Sequence, residues 1–552
     1  MKTLYVLLFT FLSTATFAQS FMNEVEPRHI QNRSGAVVPI TATIGYQGYE
    51  ETQAYFGEGE YEIFLDNVDG ILDKPIIILD GFDPGDGRDI AGLYNSLTFD
   101  GDNLADIVRD EGFDIIILNA PQYTTGGKAI DGGADYIQRN AFVLIEMINF
   151  LNAQKEGDAE LVVLGPSMGG LIARYALAYM EQNSLEAETR LFISLDSPHR
   201  GANIPISLQY VINYLAQSLG DPDALAIVDN VLNSPAAKEM LLDHVLAHLL
   251  AGSDYEQDPT KLLPAGAPNF RDAFQAELDA LGFASNVRNV AMVNGSGQSV
   301  TTGSPGVEVI NTTLDIAAFT TADVRLNFVP AINQSINVSF FETFLLGLSV
   351  DLFEADAATA AVSDGIDSSP GGTGNISSAL SGAGNNQVIL DFIAALQQDE
   401  YSFIPVISAL AIDNEDDWYA APDIGGIHTS GFVNTFIPAV NEPHTAVTAA
   451  SAAFALAEIR QQPLGISDLD TTNKYLLAKN PVGPQIQLKL DAAFSFGTVA
   501  IAVNAITGQQ VLKTSVVNPS GEIALDHALA SGVYVLSVSD AEGVYTFKFM
   551  VQ

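Results

Sequence analysis

The sequence predicts an α/β protein: a doubly wound, mostly parallel sheet with a helical insertion, followed by a small C-terminal β-sandwich. Three observations carry this prediction. Apolar runs of strand length alternate with helical patterns between Pro75 and Leu195, as parallel strands joined by crossover helices do. One junction reads Leu161-Val162-Val163-Leu164-Gly165-Pro166-Ser167-Met168-Gly169-Gly170, a strand that enters a tight turn and then a helix, with a serine at the apex. From about residue 461 the pattern changes to short strands separated by turn residues.

In chain order, Lys2, the apolar run Leu4 to Phe11 and the small-residue site Thr16-Phe17-Ala18 before Gln19 predict a signal peptide over residues 1–18. The run is too short for a membrane anchor, and no later stretch reads as a transmembrane helix. The 552 residues carry 67 acidic and 23 basic side chains, a net charge of −44. Such a surface repels nucleic acid and anionic membranes, which argues against both as partners. The chain has no cysteine, which excludes disulfides, thiol catalysis and zinc–thiolate sites.

Residues 19 to about 40 read as a polar leader, and Ile40–Tyr46 and Tyr61–Leu65 as early strands. Pro75–Leu79 is wholly apolar, as a strand covered on both faces must be. It ends in Asp80-Gly81-Phe82. The loop after such a strand supplies one oxyanion amide when a G-x-S-x-G serine follows, so Phe82 is a candidate donor and Met168, after the serine, the other. The Asp83–Asp89 loop clusters carboxylates that calcium favours, but it misses the EF-hand spacing and reads as solvated. Phe113–Asn119 and Arg190–Leu195 are further strands, and Asp135–Leu151 is a helix. Gly165, Gly169 and Gly170 free the serine turn of side chains that would collide with strand and helix.

Helical patterns at Ile206–Leu219, Asp223–Leu232, Ala236–Leu250 and Phe270–Leu281 interrupt the alternation, and residues 203–285 are expected to form a cap or lid. His244 and His248 fall there without the glutamate of a His-Glu-x-x-His zinc site, and read as structural. Val287–Val293 resumes the strands. Gly, Ser, Thr and Asn dominate Gly295–Gly306 and Ser363–Asn386. One more lid helix is expected at Phe340–Phe353, and a strand or strand-edge loop at Tyr401–Leu410.

The segments PIIILDGFDP (75–84), GPSMGG (165–170) and LDSPHRGA (195–202) resemble an α/β-hydrolase of the lipase/esterase group. Ser197-Pro198-His199-Arg200-Gly201-Ala202 is similar to the Thr-Pro-His-x-Gly segment of bacterial lipases and GPI-inositol-deacylase-like hydrolases. The resemblance covers roughly residues 40 to 460 and implies ester hydrolysis by Ser167. Asn441-Glu442-Pro443-His444, before a long Ala-rich helix, is similar to the Asn-x-x-His motif of bacterial lipases, which implies His444 as general base. Of the seven histidines, His428 is its rival. His29 lies in the leader, His244 and His248 in the insertion, His527 in the C-terminal module, and His199 too early for the order serine, acid, histidine.

The acid is the open member. Asp196 ends the first strand after the serine's helix and lies between Ser167 and His444. Some lipases place the acid there and most place it one strand later. At the later place Tyr401–Pro405 resembles an Asp-Gly-x-Val-Pro motif with Tyr401 where Asp belongs, which brings in Asp399, Glu400 and Asp413. Asp196 is the choice.

Residues 461–472 read as a linker, and 473–552 as a module of six short strands with hairpin turns at Ala505–Gly508 and Asp540–Gly543. Asn480-Pro481, Thr507-Gly508-Gln509-Gln510-Val511, Gly532-Val533-Tyr534-Val535-Leu536 and Phe547-Lys548-Phe549 resemble the type IX secretion sorting domain of Bacteroidota. That implies export across the outer membrane to the surface or the medium, with the type IX machinery as partner. The expected whole is an exported serine hydrolase acting on carboxylic esters, lipid-like ones included, with no cofactor. A peptidase or thioesterase on the same fold, and an inactive surface binding protein, are its rivals.

Overall fold

The computed structural model describes residues 36–551 apart from 262–263, 382–386, 462–473, 481, 491–493, 495, 506–508 and 541–543. The expected signal peptide, the leader to residue 35 and all but one residue of the expected linker lie outside the described residues. So does most of each C-terminal hairpin turn. The chain divides into two compact units, Met1–Gln461 and Gln462–Gln552.

An eight-stranded sheet organises the first unit. Its order is β1 (Val38–Tyr46), β2 (Tyr55–Phe64), β6 (Asp114–Asn119), β3 (Pro75–Leu79), β9 (Leu161–Pro166), β10 (Thr189–Leu195), β11 (Arg288–Met292) and β18 (Asn434–Phe436). β2 runs antiparallel to both its neighbours, and every other pairing is parallel. Two short ribbons, β4–β5 (Thr98–Phe99, Asp102–Asn103) and β7–β8 (Gln122–Thr125, Lys128–Asp131), lie in the connections.

Successive side chains leave a strand on opposite faces. Ile77, Leu79, Leu161 and Val163 enter one core with α3 (Ile137–Gln154) and α4 (Met168–Gln182). Ile76, Ile78, Val162 and Leu164 enter another with α1 (Ile90–Asn95), α2 (Leu104–Asp110) and α12 (Ala449–Arg460). Strands covered on both faces must be apolar at each position, so they read as unbroken runs.

Two insertions interrupt the sheet. The first, between β10 and β11, holds α5 (Ile206–Tyr214), α6 (Pro222–Ile227), α7 (Pro235–Met240) and α8 (Arg271–Leu281). Helix was expected across Ala236–Leu250, but α7 stops at Met240. Ala202 N–H donates to Met240 O and Leu242 N–H to Ala202 O, both at 2.8 Å, so the chain there pairs as a bridge instead of winding on. His244 and His248 therefore flank a single turn, Val245–Ala247.

The second insertion, between β11 and β18, begins with an antiparallel meander of β12 (Glu308–Ala317), β13 (Thr320–Asn327), β14 (Ser335–Leu345) and β15 (Leu348–Ala358). The lid helix expected at Phe340–Phe353 is overturned. The chain reverses at Leu346 and Gly347, with φ of 53° and 78°, the paired positive values that a two-residue hairpin turn needs to match strand twist. Phe353, Ala355 and Ala357 alternate inward along β15, a period of two that packs as strand. There follow β16 (Gly371–Asn375), α9 (Ile376–Ser381), α10 (Gln387–Ala394), β17 (Glu400–Pro405) and the single-turn α11 (Val406–Ala409), with β16 and β17 paired antiparallel.

The second unit holds a sheet of β19 (Tyr475–Leu477), β20 (Gln485–Leu490) and β23 (Glu522–Asp526) and another ordered β22 (Gln510–Val517), β21 (Thr498–Ala505), β24 (Gly532–Ser539) and β25 (Val544–Val551). Ile486, Leu488 and Ile523 of the first share one core with Ile501, Leu536 and Phe549 of the second, which makes a β-sandwich.

β9 lies in mid-sheet, and the turn from β9 into α4 holds Ser167 at φ 51°, ψ −128°. The glycines leave room for it. A Cβ on Gly165 would stand 2.5 Å from Gly169 O and 2.6 Å from Gly170 N, backbone atoms that cannot swing aside. Gly165→Ala is expected to cost about 3 kcal/mol, the upper end of the usual penalty for overpacking, read as a lower urea midpoint at unchanged slope.

Candidate active site

The carboxyl ends of β9, β10 and β18 bring three distant residues together. His444 Nε2 lies 2.9 Å from Ser167 Oγ, and His444 Nδ1 lies 2.7 Å from Asp196 Oδ2. Ser167 N–H donates to Leu195 O at 2.9 Å, which ties the turn to the end of β10. Asp196 follows that strand at φ 47°. Its own N–H donates to Met292 O at 2.7 Å, and its Oδ1 accepts Asn294 N–H at 3.0 Å. The Asp196 side chain is 0% exposed and that of His444 16%, so the carboxylate is sealed while the imidazole keeps an exposed edge. With Nδ1–H donated to Asp196, Nε2 is free to accept a proton from Ser167, the arrangement that activates a hydroxyl.

The loop after β3 packs on the serine. A Cβ on Gly81 would stand 3.2 Å from Ser167 Cβ. Gly81 N–H donates to Asp80 Oδ1 at 2.7 Å and Asp83 N–H to Gly133 O at 2.9 Å. Among the described residues, none accepts the Phe82 N–H between them. Met168 is the first residue of α4, and its amide is one of the four a helix leaves without an intrahelical acceptor. Arg88 Nη2 donates to Asp80 Oδ1 at 2.8 Å and to Phe82 O at 3.2 Å, so one guanidinium group ties the Asp80 side chain to the Phe82 backbone.

The other residues singled out in the sequence lie elsewhere. Asp399 caps α9 by accepting Ser377 N–H at 2.7 Å. Glu400 is exposed at the start of β17. Asp413 accepts the Thr429 hydroxyl. His428 accepts Asp423 N–H at Nδ1 (2.9 Å) inside its own turn. His199 is fully buried against Ser194 Oγ at 2.8 Å, and burial together with Arg174 drives its pKa well below the usual imidazole value. His244 is buried too and pushed down to about 4. Among the described residues, no group of three or more His, Asp or Glu side chains is arranged to hold a metal ion, the Asp83–Asp89 loop included.

Sequence reasoning missed Asn294, Gly372, Thr373 and Phe403. Asn294 Nδ2 donates to Glu442 Oε2 at 3.1 Å and Ala446 O at 2.9 Å, on either side of His444. Thr373 O accepts His444 N–H at 3.0 Å. The Phe403 ring stands 4.8 Å from the His444 imidazole at 88°. The only signal was the small-residue run Pro370–Gly374, which marks close backbone approach without saying to what.

Burial raises the Asp80 carboxyl to about 7 against the opposing pull of Arg88. The unfolded carboxyl titrates near 4. Between those values the unfolded chain binds fewer protons, so this group lowers stability as pH rises, with its full penalty above about 7. Asp80→Asn is expected to gain stability over the parent protein between about pH 4 and pH 8, measured as the difference in urea midpoints.

Residues 133–221 match a family model described as "Putative serine esterase (DUF676)", and residues 480–552 one described as "Secretion system C-terminal sorting domain". No curated protein matches the chain. Among solved structures, the mature lipase BlEst2 of Bacillus licheniformis is 12% identical over 43% of this chain and 72% of its own, with a TM-score of 0.24. Est1E of Butyrivibrio proteoclasticus is 10% identical over 43% and 74%, TM-score 0.22. The rice cell wall degrading esterase LipA of Xanthomonas oryzae is 14% identical over 48% and 75%, TM-score 0.26. Likeness this slight transfers nothing by itself. The serine esterase match spans the Ser167 turn and Asp196, and the sheet takes its strands in the order first, second, fourth, third, fifth, sixth, seventh, eighth, with the second reversed. On these grounds the chain has an α/β-hydrolase fold, with a segment at 133–221 that matches the serine esterase model and a C-terminal type IX sorting domain at 480–552.

Proposed function

We propose that the protein is an exported carboxylic-ester hydrolase in which Ser167, His444 and Asp196 form the catalytic triad. The observation that carries this reading is the continuous hydrogen-bonded chain from Ser167 Oγ through His444 to the buried Asp196 carboxylate. Ser167 Oγ attacks the ester carbonyl while Nε2 takes its proton, and Asp196 stabilises the imidazolium that results. The Phe82 and Met168 amides receive the oxyanion, a role in which each preset donor is worth about 3 kcal/mol. Collapse expels the alcohol, which takes the proton back from His444, and leaves Ser167 acylated. Water, deprotonated by the same Nε2, attacks the acyl carbonyl and frees the acid and the serine. Only the chain and water take part.

A carboxylate within reach of His444 favours the enzyme over an inactive binding protein. The Phe403 ring against the imidazole suits an apolar acyl group. The sorting domain at 480–552 supports release to the cell surface or the medium through the type IX machinery.

Fluorophosphonate labelling of the purified protein tests the nucleophile: strong labelling that Ser167→Ala and His444→Ala abolish is expected. Absence of labelling in a folded protein overturns the reading. A panel of p-nitrophenyl esters, thioesters and peptide anilides then separates ester hydrolysis from its rivals, with the esters turned over fastest. Asp196→Asn is expected to lower kcat by about 10⁴ by leaving the imidazole in the wrong tautomer, with KM nearly unchanged. In the producing cell, removal of residues 473–552 is expected to leave the hydrolase in the periplasm, followed by immunoblot of cell fractions and medium.

A further inference from the structure

The β16–β17 pair lies outside the eight-stranded sheet, yet two consecutive residues of it touch the acid and the base, and a third bonds the loop that carries the base. A Cβ on Gly372 would stand 2.0 Å from Asp196 Oδ2 and 2.8 Å from its Cγ. Oδ2 is the oxygen that holds His444 Nδ1. One residue on, Thr373 N–H donates to Glu442 O and Thr373 O accepts His444 N–H, both at 3.0 Å, so Thr373 forms a parallel bridge with Pro443. One residue back, Gly371 N–H donates to Asn441 Oδ1 at 3.1 Å.

On the reading that Asp196 and His444 are the catalytic acid and base, we propose that Gly372 is a positioning residue. By presenting bare backbone it admits the Asp196 carboxylate to the place from which Oδ2 reaches Nδ1, while Thr373 fixes the base against the same short strand. Asp196 has little freedom to yield to an added methyl group. Its N–H is bonded to Met292 O, its Oδ1 to Asn294 N–H, and its side chain is wholly buried. A methyl group at 372 turns Oδ2 away from the imidazole, and the base loses its orienting partner without any change to a residue that meets substrate.

The test is a double-mutant cycle in the full chain with Gly372→Ala, Asp196→Ala and both together, read by kcat and KM on p-nitrophenyl acetate, fluorophosphonate labelling rate and Tm. Gly372→Ala is expected to lower kcat and the labelling rate about a hundredfold, the scale of a misplacement near 1 Å, with KM moved less than about threefold. In the Asp196→Ala background the same change is expected to cost no further activity, because its target is already absent. The Tm lost in Gly372→Ala returns in the double variant. Additive activity losses, or Gly372→Ala at full kcat, overturn the inference. If Gly372→Ala fails to fold, the double variant decides: recovery of the fold upholds the clash with Asp196, and no recovery overturns it. Labelling of the parent protein that Ser167→Ala leaves intact instead overturns the catalytic reading and this inference with it.

Discussion

The His444 imidazole is held between a hydroxyl 277 residues before it in the chain and a carboxylate 248 residues before it, and the rest of the first unit serves to make those two contacts coincide. Neither Ser167 nor His444 lies in a strand: Ser167 directly follows β9, and His444 sits in a turn of the loop between β18 and α12. Register between parallel strands is fixed by side chains buried on both faces, so the strand ends are fixed as well. The adjacent ends of β9 and β10 therefore set the separation of Ser167 and Asp196, and β18 brings the His444 loop to the same rim. A buried carboxylate is tolerated only when it is paired, and Asp196 has both Asn294 N–H and the imidazole.

Left-handed backbone also occurs at this place. Ser167, Asp196 and Thr445 all have positive φ, at 51°, 47° and 59°. Each such residue costs about 1–3 kcal/mol and persists only where its surroundings over-determine it. Two of the three belong to the hydrogen-bonded chain and the third follows His444. The two cores that flank the sheet offset this cost, and in return the side chains leave the strand ends at angles that extended backbone would not give.

Much of this was legible in the sequence because it rests on side-chain type. The unbroken apolar runs betray strands covered twice, and the Gly-Pro-Ser-Met-Gly-Gly turn betrays an apex serine. Asp196 stood out by its place at a strand end between Ser167 and His444, and it is the carboxylate that bonds the imidazole, whereas Asp399 and Asp413 accept other hydrogen bonds and Glu400 is exposed. The failures have physical causes. Ala236–Leu250 has helical periodicity, but tertiary pairing of Ala202 with the chain at Met240–Leu242 outweighs local propensity. Phe340–Phe353 is apolar at helical and strand spacings alike, and the deciding turn, Leu346-Gly347, begins with a residue that carries no turn signature. Gly372 and Thr373 act through an absent side chain and through backbone groups, which leave no mark on composition.

The two halves of the site are held by different means. The acid–base side depends on shape: Gly372 has room for the carboxylate and for nothing more. The proposed oxyanion side depends on charge. An ionised carboxylate beside a developing oxyanion would oppose it, yet Asp80, buried to 3% exposure, immediately precedes the loop that packs on Ser167. Burial raises its pKa to about 7, so near neutral pH it carries a full negative charge only part of the time. What charge remains is met by Arg88 at 2.8 Å. The same guanidinium group bonds Phe82 O, so the cation that masks Asp80 also anchors the carbonyl of the residue whose amide is left without a partner. A buried acid that would weaken the proposed oxyanion hole on its own thus becomes, with Arg88, part of what keeps the proposed donor in place.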